Sequence, residues 1–172
     1  MIFLKDRNLA IVTPLKTGST SLHSHLCSPS VGGFYVLGPQ GDCAIEKHTT
    51  HVPMFGTTSP TRSLMVVRDP IQRAASMWFN LRFFEPATSF DQLYECIRTN
   101  PLYCNLSENY FRCGAVDYLR LESINEDLAK YGLPPLELRE NQSDSKPTLT
   151  HDQIERLRWW WEPDARQFGY QC

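Results

Sequence analysis

Apolar positions recur in two rhythms along this chain. Asn8 to Thr13 (NLAIVT) is a short continuous apolar run, closed by Pro14 and a polar, glycine-containing loop, and Thr20 to Leu26 then begins a helix. Ser63 to Val67 (SLMVV) repeats the pattern and is followed by Arg68-Asp69-Pro70. There Asp69 is placed to cap, and Pro70 to occupy the first turn of, a helix running through Gln72 and Arg73 to Trp78. Beyond it, Phe90 to Arg98 and Asn105 to Cys113 have the spacing of amphipathic helices. Val116 to Leu121 (VDYLRL) reads as a strand, and Glu122 to Tyr131 as a helix stopped by Gly132. Thr150 to Trp161 reads as one last helix, started near Thr150 or Asp152.

Strands alternating with helices predict an α/β fold. The expected form is a single domain over residues 1–172, with a central, mostly parallel sheet flanked by helices in three layers and right-handed crossovers. In such folds ligands sit at the carboxyl ends of the strands, where both glycine- or proline-bearing turns fall. The 172 residues, 41% of them hydrophobic, suffice for one sizeable core. No repeat or linker-like run divides them. No apolar stretch reaches the roughly 18 residues of a membrane helix, and Met1 to Leu4 is cut short by Lys5, Asp6 and Arg7, so a cytoplasmic chain is expected. The six cysteines (Cys27, Cys43, Cys96, Cys104, Cys113 and Cys172) form no C-x-x-C pair and are read as reduced, mostly buried thiols.

Charge sharpens the picture. The net charge of −2 argues against a general nucleic-acid binder, but residues 1–82 carry eight Lys and Arg against four Asp and Glu, and residues 83–172 carry nine against fifteen. Positive charge thus gathers in the half that holds the Lys16 loop, which favours a small polyanion as ligand. In Thr13-Pro14-Leu15-Lys16-Thr17-Gly18-Ser19-Thr20-Ser21, a lysine, a glycine and a run of hydroxyls lead into a helix, so backbone N–H groups, the helix N-terminus and the lysine converge on one anion. Lys16 precedes Gly18, the reverse of the G-x-x-x-x-G-K-[ST] order of nucleotide triphosphatases.

The Lys16-Thr17-Gly18-Ser19-Thr20 stretch resembles the 5′-phosphosulfate loop of sulfotransferases that use 3′-phosphoadenosine 5′-phosphosulfate (PAPS). Val67-Arg68-Asp69-Pro70-x-x-Arg73-x-x-Ser76-x-Trp78 is similar to the same family's 3′-phosphate segment. Tyr118 to Leu128, and Trp161-x-x-Asp164-x-x-x-Phe168-Gly169-Tyr170, are similar to later segments of the carbohydrate-type members. The resemblance implies a P-loop-like fold and transfer of a sulfuryl group from PAPS to an acceptor hydroxyl on a carbohydrate or glycoconjugate, with 3′,5′-adenosine bisphosphate (PAP) as product and no metal. It assigns Lys16, Thr17, Gly18, Ser19, Thr20, Ser21, Arg68 and Ser76 to the nucleotide.

Thr50-His51-Val52-Pro53 resembles the segment that carries the catalytic histidine in the cytosolic members, and an imidazole with its ordinary pKa of about 6.5 suits a general base. His51 is therefore the expected base and Lys16 the expected electrostatic catalyst, with His48 and Glu46 as alternative bases and Lys47 as a further contact to the sulfuryl group. Two other functions remain open on the sequence: a Mg²⁺-ATP-dependent kinase or hydrolase, with Asp69 as metal ligand, and a non-catalytic adenosine bisphosphate-binding module. Of Trp159, Trp160 and Trp161, at least one is expected in the core, because three adjacent helical residues cannot share a face. Arg73 is expected in a structural ion pair and Glu122 at the strand-to-helix turn. Lys146 and Asn141 sit in a polar loop that could close over the nucleotide.

Overall fold

The computed structural model describes residues 1–28, 30–31, 34–35, 62–100, 103–137 and 147–171. Their elements are β1 (Ile2–Leu4), β2 (Leu9–Val12), α1 (Ser19–Leu26), β3 (Phe34–Tyr35), β4 (Arg62–Val67), α2 (Pro70–Phe84), α3 (Phe90–Thr99), α4 (Leu106–Cys113), β5 (Asp117–Arg120), α5 (Ile124–Lys130), α6 (His151–Arg156) and α7 (Arg158–Phe168). The chain is mixed α/β. It groups into two compact units, one of residues 1–67 with 109–142, the other of residues 68–108 with 143–172.

The first unit holds an open sheet in the order β3-β1-β2-β4-β5. β2, β4 and β5 are parallel neighbours, with Val12 opposite Met65 and Val67 opposite Arg120. β1 is antiparallel to both β2 and β3, so four of the five strands share one direction. The run Met1 to Leu4, too short to announce itself, is thus a strand. It is folded back onto β2 by a 3₁₀ turn at Lys5–Arg7 and by Asn8, whose φ of 49° lies in the left-handed region that asparagine tolerates.

β2 is buried along its whole length and β4 from Ser63 onward, which is why both read as continuous apolar runs. Alternate residues divide between the two faces. Ile2, Leu4, Leu9, Ile11, Leu64, Val66 and Leu119 join Leu22 and Leu26 of α1 and Ile124 and Leu128 of α5 in one apolar cluster. Ala10, Val12, Met65 and Val67, in the alternate register, are also fully buried.

The turn from β5 into α5 is tied by Asp127, and Glu122 lies exposed in the same turn. The Asp127 carboxylate accepts hydrogen bonds from the Arg120 N–H (2.7 Å), the Ser123 hydroxyl (3.3 Å) and Lys130 Nζ. Burial alone would raise its pKa, but the Lys130, Arg120 and Ser123 donors outweigh that and hold it below the usual carboxylate value. A depressed folded pKa contributes stability that is present above the unfolded value of about 3.9 and is lost as pH falls through the folded one. Asp127→Asn is therefore expected to flatten the acid side of the stability curve below about pH 4, which denaturant titrations at stepped pH would read.

In the second unit α2 packs on α3 and on α7, and α6 on α7. Asp69 caps α2 by accepting from the Gln72 N–H (2.7 Å), with Pro70 in the first turn, as the sequence predicts. Thr150 caps α6 through a capping box with Gln153. The single helix predicted for Thr150 to Trp161 is instead two, divided at Leu157, whose dihedrals (φ −92°, ψ 1°) depart from helical values although its N–H still reaches the Gln153 carbonyl (3.3 Å). Trp160 and Trp161 are buried and donate their indole N–H groups to the Tyr103 and Ile154 carbonyls (2.7 and 3.0 Å), whereas Trp159 is 49% exposed. Of the thiols described, only Cys113 is buried, and Cys27, Cys96 and Cys104 are half-buried, so the expectation of mostly buried cysteines is corrected. Among the described residues no helix is long and apolar enough to cross a membrane.

Candidate functional site

Because β2, β4 and β5 are parallel, their carboxyl ends share one edge of the sheet. β2 delivers Thr13 to Gly18 there, and α1 starts at Ser19. Two residues of this loop take positive φ, Lys16 at 64° and Gly18 at 81°. For glycine this is free, but for a lysine it costs about 1–2 kcal/mol, so the surroundings must impose it.

Those surroundings are visible. Thr17 turns both its N–H (3.3 Å) and its hydroxyl (2.7 Å) to the Pro14 carbonyl, closing the turn under Lys16. Gly18 lies against Leu121 in the turn after β5: a Cβ at position 18 would come within 2.6 Å of Leu121 Cδ1. Thr13 Oγ1 and His23 Nε2 share a hydrogen bond of 3.0 Å across the base of the loop.

The first bond of the α1 ladder runs from the Leu22 N–H to the Gly18 carbonyl (3.2 Å), so the N–H groups of Ser19, Thr20 and Ser21 precede it. Gly18, having no side chain, supplies no cap. Left-handed residues at 16 and 18, followed by the positive end of a helix, form the kind of backbone concavity that takes an anion. Lys16, Thr17 and Gly18 of the loop and Ser19, Thr20 and Ser21 of the first turn of α1 are thus gathered in one continuous segment. Both Thr17 donors are used inside it, which makes that residue a brace of the loop.

Arg68 and Ser76 belong to the second unit. Arg68 is the residue after β4 and is 9% exposed; Ser76 is buried on α2. Arg73, one turn before Ser76, is fully buried, lies over the Trp160 ring (5.3 Å) and donates to the Cys104 carbonyl (3.0 Å). Burial lowers its pKa to about 10, with Asp164 opposing that shift and the like charge of Arg68 adding to it, so the guanidinium stays charged near neutrality. Asp164 is equally buried and accepts from the Leu106 N–H (2.8 Å), the Ser107 N–H (2.7 Å) and the Ser107 hydroxyl (2.9 Å), thereby capping α4. Burial pushes its carboxyl up, opposed by Arg73 and these donors. Arg73 is therefore engaged inside the fold.

His51, with His48, Glu46 and Lys47, lies outside the described residues, as do Lys146 and Asn141. Two polar residues of consequence were not singled out by the sequence: His23, which meets Thr13 across ten positions, and Asp127. For Asp127 the S-x-x-x-D spacing after a strand is a usable signal; for His23 nothing local distinguishes it from a surface histidine. Neither the models of known protein families nor the curated proteins include a match to this chain.

Proposed function

We propose that this protein is a PAPS-dependent sulfotransferase of P-loop-like fold that sulfates a hydroxyl of a carbohydrate or glycoconjugate. The observation that carries the proposal is the loop at the carboxyl end of β2, where left-handed Lys16 and Gly18 run straight into α1. Strained backbone at a non-glycine residue is kept where it serves a ligand, and a curl of N–H groups beside a lysine fits a phosphosulfate. The order strand, Lys16 loop, helix, strand, Arg68, helix with Ser76 supports the same reading.

In this reading the loop N–H groups and Lys16 hold the 5′-phosphosulfate, while Arg68 and Ser76 serve the 3′-phosphate. A guanidinium fork with a helical hydroxyl would distinguish PAPS from ATP. His51 accepts the proton of the acceptor hydroxyl as its oxygen bonds to sulfur. The bond from sulfur to the phosphate oxygen breaks, and Lys16 stabilises the charge that develops on that oxygen, leaving PAP. Positioning and electrostatics carry most of the rate, by analogy with phosphoryl transfer, and the lysine takes the place that a metal holds elsewhere.

Incubation with PAPS labelled at sulfur, across a panel of glycans, tests the proposal. Label is expected to move to a glycan at a rate unchanged by a chelator, and His51→Ala is expected to slow turnover by about 10²-fold or more with PAP affinity nearly intact. Label that stays in the donor with every acceptor would contradict transferase function, and full activity in His51→Ala would move the base to His48 or Glu46.

A further inference from the structure

We propose that the Thr13–His23 hydrogen bond is a clasp that holds the Lys16–Thr20 loop in its anion-ready curl, which makes His23 a positioning residue for the phosphosulfate; the occupant named here rests on the function proposed above. Thr13 is the first residue after β2, and His23 is the fifth residue of α1. Their 3.0 Å bond joins the rigid elements on either side of the loop and encloses all of it. Both side chains are buried, Thr13 fully and His23 at 8% exposure.

An imidazole buried beside the apolar Leu22 and Leu26 of the same helix is a costly choice if packing alone is served, since a buried polar ring must find a partner. What it gains over a leucine is direction. The threonine hydroxyl both donates and accepts, so the bond forms with either imidazole tautomer. Lys16 at φ 64° needs external constraint to persist. The Thr17 contacts with Pro14 and the fit of Gly18 on Leu121 act within the loop, whereas the Thr13–His23 bond alone of the three sets the separation of its two ends. Releasing the ends lets Lys16 relax out of the left-handed region and the N–H groups diverge.

The test uses Thr13→Val, which keeps the shape and removes the hydroxyl, His23→Leu, and the conservative Thr13→Ser. Two readouts are taken: amide hydrogen exchange without ligand, and calorimetric titration with PAP. The informative amides are Thr17 and Leu22, which are hydrogen-bonded within the segment, against those of β2 and β4 as reference. Thr13→Val and His23→Leu are expected to speed exchange at Thr17 and Leu22 by about tenfold, with the strands unchanged, and to weaken PAP by a similar factor, about the worth of one buried hydrogen bond. Thr13→Ser is expected to restore both.

Unchanged exchange at Thr17 and Leu22 in Thr13→Val, or acceleration spread equally over β2 and β4, would overturn the clasp. If His23→Leu does not fold, the two threonine variants still decide. Accelerated loop exchange together with no PAP binding by the parent protein would keep the clasp and overturn the phosphosulfate as its occupant, so the two failures are distinguishable.

Discussion

Lys16→Gly is expected to give a protein at least as stable as its parent and, under the sulfotransferase function proposed above, about 10²- to 10³-fold slower, the loss typical when one preorganised charge or donor is removed from a transition state. The two halves of this result have separate causes. Lys16 sits at φ 64°, and glycine occupies that conformation without strain. Relief of about 1–2 kcal/mol is partly offset by the greater freedom of glycine in the unfolded chain, so the net gain is up to about 1 kcal/mol, or about 2–4 °C at this chain length. Turnover falls because the ammonium that would cover the departing phosphate oxygen is gone. A steady-state assay beside a thermal melt reads both. A marked loss of stability would mean that the left-handed turn is held by contacts of the lysine side chain instead of by its neighbours.

Asp164→Ala is expected to cost about 3–5 kcal/mol, because a buried donor left without its acceptor costs about 1–3 kcal/mol. Three hydrogen-bond donors at the start of α4 lose their acceptor, and fully buried Arg73 loses the charge that offsets its burial. Against a total stability of about 5–15 kcal/mol, that leaves a marginal domain. Combining Arg73→Met with Asp164→Leu is expected to recover only the part of the loss that comes from the stranded guanidinium, since the α4 donors stay without their acceptor, so the two changes together cost less than their sum. Denaturant unfolding of the four proteins in the cycle checks this. Additive losses would show that Asp164 acts only as the cap of α4.

The parts of the fold that could be read along the chain are those written by local chemistry. The apolar runs at Leu9–Val12 and Ser63–Val67 are visible because strands buried on both faces need apolar residues at every position. The Asp69 and Thr150 caps are visible because a cap bonds only two or three residues ahead. β1 escapes because a three-residue strand has no period to detect, and its pairing depends on the left-handed Asn8 behind it. The break at Leu157 escapes because apolar spacing continues straight through it.

The same division runs through the candidate site. Its residue types, Lys16, Gly18 and the hydroxyls after them, are plain in the sequence, but the left-handed backbone of Lys16 is a property of the closed loop and no residue type encodes it. The Thr13–His23 bond and the Asp164 cap of α4 join residues ten and more than fifty positions apart, so only the folded chain brings them together.

Calorimetric titration with PAP and with ATP, each with and without Mg²⁺, and repeated on Arg68→Ala, tests the sulfotransferase proposal most directly. The expected result is tight, metal-independent binding of PAP, weaker binding of ATP, and loss of PAP affinity in the Arg68→Ala protein. Preference for Mg²⁺-ATP, or PAP binding untouched by Arg68→Ala, would contradict it.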